Sequence, residues 1–312
     1  MKLLIFYLTD DRRHHTFSHF VNMINKSNKK DSWKLLVLTH TDDRKFYEEN
    51  LVNVDVNFDI CKVEPDRNYL QKALFATKYA EDNHFKYMMK CDNDLFLKYQ
   101  TLDYMIDNLE LLDSNAHLTL GPVLTSGIPG VEYFIDQFLD SDAKATINKL
   151  FLNTHFYDRD GANYTFLNKY TEDATDWNKD EFFEGVRNIE HHYKGIHPIR
   201  VNDEALQFLN DYIINNKSRF LKDYDLHIID NDNSPYLCNS IFCIKTENYR
   251  KIIHDNTLYV DDFDEVPLNK YSWLHKMNHL FVGNGFAIHM YYNWKPEYIH
   301  SEIEFCNRFF AE

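Results

Sequence analysis

Short apolar runs alternate with amphipathic helical segments through the first 125 residues of this 312-residue chain. Runs rich in β-forming residues occupy 2–9, 33–40, 54–60, 85–92 and 116–124, and helical periodicity occupies 15–26, 69–83 and 101–113. Strands separated by helices of about 10–15 residues favour a mostly parallel sheet joined by right-handed crossovers. The sequence therefore predicts an α/β fold, with a mixed, mostly parallel sheet flanked by helices.

The middle of the chain, residues 127–230, is more helical and more polar and contains neither a repeat nor a linker. We interpret it as a helical insertion or lid between a first half, 1–125, and a last part, 231–312, of one domain. The last part returns to strand patterns, with helical segments between them. Its strands are predicted at 236–245 and 280–293, and its helices at 247–256, 266–278 and 302–312.

Charge and cysteine content narrow the class of protein. The chain has 34 basic and 49 acidic residues and a net charge of −15, which disfavours a nucleic acid as a surface partner because phosphate contacts need a basic surface. Its 5 cysteines form no C-x-x-C pair, which favours a reducing compartment. The N-terminal apolar run is short for a signal peptide, and no apolar run reaches the ~18 residues of a membrane span. We expect a soluble cytoplasmic protein, in a bacterium or a virus-infected host cell.

The motif Asp92-Asn93-Asp94 follows the apolar strand 85–92 and precedes the apolar Leu95. Open parallel sheets bind ligands beyond the carboxyl ends of their strands, which is where this motif lies. Side chains two apart on an extended segment point the same way, so both carboxylates can face one site. Mg²⁺ or Mn²⁺ bound by one or two carboxylates and completed by substrate phosphates suits such a pair. The alternative is a simple polar turn after a strand.

This pattern resembles the glycosyltransferases of the GT-A fold, including family 2, whose hallmark is a D-x-D motif at the end of a core strand. Four stretches carry the resemblance: 6–13, 67–80, 261–271 and 285–293, in addition to the D-x-D itself. The resemblance implies a Rossmann-like domain and a nucleotide-diphosphate sugar as donor, most often a UDP-sugar. It also implies Mn²⁺ or Mg²⁺ on the donor diphosphate, and a glycan or another hydroxyl compound as acceptor.

The same resemblance assigns donor-binding residues. "FYLTDDRR" resembles the opening strand and nucleotide-binding loop, which places Thr9, Asp10 and Arg12 near the base and ribose. "RNYLQKALFATKYA" resembles the helix before the D-x-D strand, whose early polar residues Arg67 and Lys72 would face the donor. Asp92 and Asn93 would contact the donor as well.

The metal and the acceptor base are assigned in the last part of the chain. Asp92, Asp94 and His289 would bind the metal, because a histidine on the C-terminal strand often supplies a further ligand in this family. Asp94 and His289 are therefore expected to converge. Glu265 would be the base that deprotonates the acceptor hydroxyl in an inverting transfer, and Asp264 would bind the acceptor. Both acids stand where a helix N-terminus favours carboxylates.

Several alternatives remain open at this stage. The chain could be a non-catalytic protein that binds a nucleotide-sugar or a glycan, or a viral enzyme that glycosylates a hydroxymethylated DNA base. A phosphatase of the haloacid-dehalogenase type is disfavoured, because its D-x-D lies near the start of the chain and continues with x-Thr, whereas Leu95-Phe96 follows Asp94. His275 and His279 have helical spacing and are expected to form a surface pair. The sequence gives no indication of the oligomeric state.

Overall fold

A computed structural model describes residues 2–9, 14–39, 44–63, 69–125, 130–152, 199, 202–220, 225–230, 237–238, 240–255, 265–289 and 299–310. Within these ranges, one sheet contains nine strands. The strands are β1 Leu3–Leu8, β2 Trp33–Thr39, β3 Phe58–Lys62, β4 Tyr87–Asp92, β5 Leu95–Leu97, β6 His117–Leu124, β7 His227–Asp230, β8 Ile241–Lys245 and β9 Asn278–His289.

Helices connect most of these strands. The α-helices are α1 His14–Lys26, α2 Arg44–Leu51, α3 Tyr69–Asp82, α4 Tyr99–Asp107, α5 Gly130–Phe138, α6 Ser141–Leu152, α7 Asp203–Asn215, α8 Lys217–Phe220, α9 Thr246–His254, α10 Glu265–His275 and α11 Ile299–Phe310. Two short 3₁₀ helices lie at Lys30–Ser32 and Leu109–Asp113. The second one continues α4, so the predicted helix 101–113 changes its pitch near its end.

The sheet is mixed and most of its strands run in one direction. Its order is β3-β2-β1-β4-β8-β6-β9-β5, and β7 pairs with β9. The ladders β3-β2-β1-β4 and β6-β9 are parallel, whereas β8 runs antiparallel to both β4 and β6. β5 and β7 run antiparallel to β9. The predicted fold class, a mixed and mostly parallel sheet flanked by helices, is confirmed.

Two hydrophobic layers cover the two faces of the sheet. The first layer contains apolar side chains of α1, α2 and α4, such as Phe17, Tyr47 and Leu102. The second layer contains those of α3, α5, α6, α7, α9, α10 and α11, such as Phe134 and Ile252. Burial on both faces explains why the strands are continuous apolar runs without alternation.

Several elements differ from the sequence prediction, among them β3, α2 and β7. β3 covers Phe58–Lys62 and not 54–60, because the alternating residues Val54 and Val56 lie in the turns that follow α2. α2 has few apolar residues, and its buried positions are Tyr47 and Leu51. Its hydrophobic periodicity is too weak to predict a helix. β7 lies in the segment 127–230, yet it joins the sheet at β9.

The prediction of a surface pair is wrong for His279. α10 ends at His275, and Lys276 follows with a left-handed φ of 51°, after which the chain enters β9. His279 is 0% exposed, and its Nδ1 lies 2.7 Å from Thr119 Oγ1 on β6. His275 and His279 have helical spacing, but α10 ends between them. Tertiary packing decides where this helix ends.

In the part of the chain described here, no helix combines the length and apolar character needed to cross a membrane. Cys61, Cys91, Cys238 and Cys243 are free thiols.

Candidate functional site

Polar residues from five segments meet at one edge of the sheet. Thr9, Asp92, Thr125 and His289 stand at or just beyond the carboxyl ends of β1, β4, β6 and β9, which run in the same direction. Ser240 precedes β8, and because β8 is antiparallel, its start lies at the same edge. This is the edge at which open α/β sheets bind their ligands.

Asp94 and His289 face each other at this edge. Asp94 Oδ2 lies 3.6 Å from His289 Nε2, and the two side chains are 10% and 5% exposed. Backbone pairing explains the contact: Leu95 of β5 is opposite His289 of β9. The hydroxyl of Thr125 accepts a hydrogen bond of 3.2 Å from the His289 N–H and fixes the end of β9. The predicted proximity of Asp94 and His289 is confirmed.

Ser240 is a third member of this cluster that the sequence did not suggest. Its hydroxyl oxygen lies 3.4 Å from His289 Nε2, and its carbonyl accepts a hydrogen bond of 3.0 Å from the Asp92 N–H. A serine before an apolar run carries no signal of its own, and only its place at the start of a central strand could have indicated it. Asp94 and Ser240 both contact Nε2 of His289. A proton relay would need partners on both ring nitrogens, so this arrangement is better described as potential metal ligands that converge on one point.

The two aspartates of the motif have different neighbours. Lys90 Nζ lies 3.8 Å from Asp92 Oδ1, and the lysine side chain is 3% exposed. Asp94, by contrast, faces the imidazole of His289. Asn93 between them is buried. The expectation that both aspartates bind one metal stays a prediction, and the structure gives Asp92 a cationic neighbour in Lys90.

Cys91 lies immediately before the motif. Burial raises the pKa of this thiol well above its usual range, and the carboxylates of Asp92 and Asp94 raise it further. A thiol that stays protonated is a poor nucleophile and a poor metal ligand. Cys91 is therefore a packing residue of the first hydrophobic layer.

Three other predicted site residues are described by the structure. Thr9 is buried, and both its N–H and its hydroxyl donate hydrogen bonds of 3.1 Å to the Leu38 carbonyl. Lys72 is buried on α3, with its Nζ 5.8 Å from the centre of the Tyr69 ring. Glu265 is half-buried and begins α10. Their functional roles stay predictions. The remaining ones lie outside the described residues: Asp10, Arg12, Arg67 and Asp264.

Asn269 connects α10 to the segment that leads into Ser240. Its side-chain oxygen accepts a hydrogen bond of 2.8 Å from the Leu237 N–H, and its amide donates to the Leu237 carbonyl at 3.0 Å. The amide also donates to the Glu265 carbonyl at 2.8 Å. One buried side chain thus holds the first turn of α10 against the chain that enters the site.

The side chains at this edge supply part of a coordination shell for a divalent cation. The described residues contain no group of three or more histidine, cysteine and acidic side chains placed to hold a metal ion. Asp94 and His289 supply one carboxylate oxygen and one imidazole nitrogen, and the Ser240 hydroxyl lies beside them. Such a set fits an ion whose other positions are filled by water and by phosphate oxygens of a substrate.

Two surface cavities lie at the opposite edge of the sheet. One, of about 330 Å³, adjoins the start of β1 and β2, and the other, of about 440 Å³, adjoins the start of β4. Charged residues of their walls form salt bridges with each other. These are Lys2–Glu110 and Lys29–Asp107 in the first cavity, and Lys86–Asp113 and Arg250–Glu81 in the second. Neither cavity contains a convergent set of functional groups like that around His289.

Comparisons with known proteins reveal similar solved structures only. No protein-family model matches the chain, and no curated protein sequence matches it. S. aureus TarS is 19% identical with a TM-score of 0.32, over 40% of this chain and 22% of that one. Mannosyltransferase PcManGT from Pyrobaculum calidifontis, in complex with GDP-Man and Mn2+, is 14% identical with a TM-score of 0.32, over 39% of this chain and 35% of that one. S. aureus TarS 1-349 is 15% identical with a TM-score of 0.35, over 71% and 76%. The chain thus spans well under half of the length of the first two structures.

Proposed function

We propose that this chain is a metal-dependent glycosyltransferase that moves a sugar from a nucleotide-diphosphate sugar to an acceptor hydroxyl group with inversion. The observation that supports the proposal is the contact of 3.6 Å between Asp94 and His289 at the carboxyl edge of the central strands. A carboxylate after one strand and a histidine at the end of another are two of the three metal ligands, Asp92, Asp94 and His289, that the GT-A resemblance implies. The contact is non-local and depends on correct pairing of β5 with β9.

Asp94 and His289 would hold the cation, with Asp92 and the Ser240 hydroxyl beside them. A mixed carboxylate and imidazole set favours Mn²⁺ over Mg²⁺, because magnesium prefers a shell of oxygen atoms and keeps much of its water. An ion held there would supply positive charge against the negative charge that develops on the leaving nucleotide diphosphate. Burial of both ligand side chains limits competition from water for the electrostatic interactions in the site.

Glu265 would accept the proton of the acceptor hydroxyl. In the transfer, the bond between the anomeric carbon and the diphosphate oxygen breaks, and a bond to the acceptor oxygen forms from the opposite face. The acceptor proton passes to the Glu265 carboxylate. This carboxylate stands in the first turn of α10, where backbone N–H groups stabilise a negative charge. Asp264 would orient the acceptor.

The donor would lie along the ends of β1 and β4. We assign its base and ribose to Thr9, Asp10 and Arg12, and its phosphates to Arg67 and Lys72, with UDP as the first nucleotide to test. The acceptor would be a glycan or another hydroxyl compound. The net charge of −15 disfavours a long nucleic acid on the surface, which leaves glycosylation of a hydroxymethylated DNA base as the weaker alternative.

Nucleotide-dependent thermal stabilisation tests the proposal directly. A ligand that binds only the folded state raises the melting temperature, and a concentration of about 100 times Kd adds about 2.7 kcal/mol. UDP and GDP with Mn²⁺ are expected to stabilise the wild type, and Asp94→Asn is expected to lose this stabilisation. Asp82→Asn is the matched control, since it makes the same charge change at an exposed residue of α3 that pairs with Lys78.

Turnover then separates an enzyme from a binding protein. Slow hydrolysis of a nucleotide-sugar by the wild type, absent in Glu265→Gln, supports the transferase. Stabilisation without hydrolysis or transfer to any acceptor supports a non-catalytic nucleotide-sugar-binding protein. If no nucleotide diphosphate stabilises the wild type with any divalent cation, the proposed function is wrong.

A further inference from the structure

A bulge interrupts β9 ahead of the site. In the parallel ladder between β6 and β9, Pro122 pairs with Val282, and the next residue of β6, Val123, pairs with Phe286. The segment Gly283-Asn284-Gly285 is therefore extra on β9 relative to β6, although Gly283 still pairs with His227 of β7. Asn284 has a left-handed φ of 59°.

This bulge reverses the direction in which later side chains of β9 point. Before it, Val282 packs in the layer of α1, α2 and α4, and Phe281 packs in the opposite layer. After it, Ala287 lies in the layer of Val282, and Ile288 lies in the layer of Phe281. Side chains of an uninterrupted strand alternate with a period of two, which would put Ala287 on the side of Phe281. The three extra residues shift the alternation by one position, so that Ala287 lies on the side of Val282.

His289 follows Ala287 by two residues and so shares its side of the sheet. Leu95, the backbone partner of His289, packs in the same layer as Ala287. A strand without the bulge would turn His289 to the other face, away from the side on which its partner packs. Bulges next to active sites are known to re-aim side chains in this way.

We propose that Gly283-Asn284-Gly285 is a positioning segment that turns His289 toward Asp94. This inference rests on the proposed function for its biological meaning, although the orientation of His289 can be measured without a ligand. Asn284 is a positioning residue and not a catalytic one. It would set the affinity for the cation through the strand on which His289 lies.

The residue types in this segment suit the task. Asparagine and glycine adopt a left-handed backbone at low cost, whereas a β-branched residue does so rarely. A Cβ at Gly283 would come within 2.3 Å of the His227 ring, and a Cβ at Gly285 within 2.7 Å of Val282 Cγ1. Asn284 is fixed on both sides: its N–H donates to Gln137 Oε1 at 3.2 Å, and its amide donates to the Asp225 carbonyl at 3.0 Å.

A matched pair of substitutions tests the role of the backbone at Asn284. Asn284→Gly and Asn284→Val both remove the side-chain hydrogen bond, but only valine opposes the left-handed conformation. We expect Asn284→Val to weaken Mn²⁺ binding by about tenfold or more, a size typical of residues that orient a ligand. Asn284→Gly is expected to bind Mn²⁺ nearly as well as the wild type. Binding is measured by titration calorimetry without nucleotide, beside circular dichroism and the melting temperature of the metal-free proteins.

Selective ¹⁵N-histidine NMR of the metal-free proteins provides a second readout. The ring nitrogen signals of His289, assigned with His289→Gln, are expected to shift toward those of an exposed imidazole in Asn284→Val and to stay unchanged in Asn284→Gly. If Asn284→Val does not fold, Asn284→Ala replaces it, with the same direction of effect expected. The inference is overturned if valine or alanine leaves both readouts unchanged, or if glycine disturbs them as strongly as valine does. If the wild type binds Mn²⁺ neither alone nor with UDP or GDP present, the proposed function fails. The NMR signals of the metal-free proteins still decide whether the bulge orients His289.

Discussion

Asp94 Oδ2 lies 3.6 Å from His289 Nε2, although one residue follows the fourth strand of the chain and the other ends the ninth. Antiparallel pairing of Leu95 with His289 brings them together, and the contact of Ser240 with the same ring nitrogen makes a compact cluster. Both side chains are largely buried. The interaction between them is therefore expected to be measurable, in contrast to that of exposed pairs, which contribute little.

Asp94→Asn and His289→Gln are each expected to weaken Mn²⁺ binding by at least about tenfold, because each removes a proposed ligand of the same ion. The double variant is expected to bind Mn²⁺ only slightly more weakly than the single variant with the lower affinity. The reason is that the effects of two residues that act on one ion are not additive. Titration calorimetry of the four proteins gives the cycle. Fully additive losses would show that the two residues do not share a cation.

Lys90→Met is expected to lower the free energy of unfolding by about 2–3 kcal/mol. The substitution removes the ammonium group 3.8 Å from Asp92 Oδ1 and leaves the carboxylate beside an apolar side chain. The expected loss is smaller than the ~3–5 kcal/mol of a fully buried pair, because the Asp92 side chain is 21% exposed. Urea unfolding at pH 7 measures it. Lys78→Met, which breaks an exposed pair with Asp82, should cost less than about 0.5 kcal/mol. Equal losses in the two variants would contradict the role given to Lys90.

Asn269→Leu is expected to destabilise the protein by about 2–4 kcal/mol. It leaves the N–H and the carbonyl of buried Leu237 without the hydrogen bonds that Asn269 provides, and an unsatisfied buried group costs about 1–3 kcal/mol. Asn83→Leu removes one exposed side-chain hydrogen bond to the Tyr79 carbonyl and should change stability by less than about 0.5 kcal/mol. Denaturant melts of both variants are the measurement. A stable Asn269→Leu variant would mean that the link between α10 and the Ser240 segment is dispensable.

His279 is expected to make the protein sensitive to mild acid. Burial lowers the pKa of His279 from 6.5 to about 3, so the folded state stays neutral where the unfolded state takes up a proton. The free energy of unfolding is therefore unaffected by His279 above about pH 6.5 and falls as the pH drops from there toward 3. Between pH 7 and 4.5 the loss due to this residue is about 2–3 kcal/mol.

His279→Asn removes the titration and keeps a hydrogen-bonding atom near Thr119. Its unfolding free energy, measured by urea melts at several pH values, is expected to depend less on pH between 7 and 4.5 than that of the wild type. His254→Asn, at an exposed position of α9, is the control and should keep the wild-type slope. An unchanged slope in His279→Asn would contradict the buried neutral state.

Local patterns in the sequence determined most of the individual elements. Apolar runs bounded by polar turns predicted the strands that became β1, β2, β4, β6 and β9, because the burial of both faces of a central strand is visible in neighbouring residues. The position of Asp92-Asn93-Asp94 at a strand end predicted the edge at which the site forms. His289 was predicted as its partner through the GT-A resemblance.

Tertiary structure decided how these elements combine. β8 inserts antiparallel between β4 and β6, which brings Ser240 to the site, and no local pattern encodes the position of a strand in a sheet. The contact of Asp94 with His289 was likewise set by strand register. Lys90, by contrast, lies beside Asp92 because the two residues are two apart on β4. The direction in which His289 points depends on a bulge whose effect appears only against the ladder of β6. Local sequence sets the conformation of each segment, whereas strand order and register follow from the packing of the whole chain around its two hydrophobic layers.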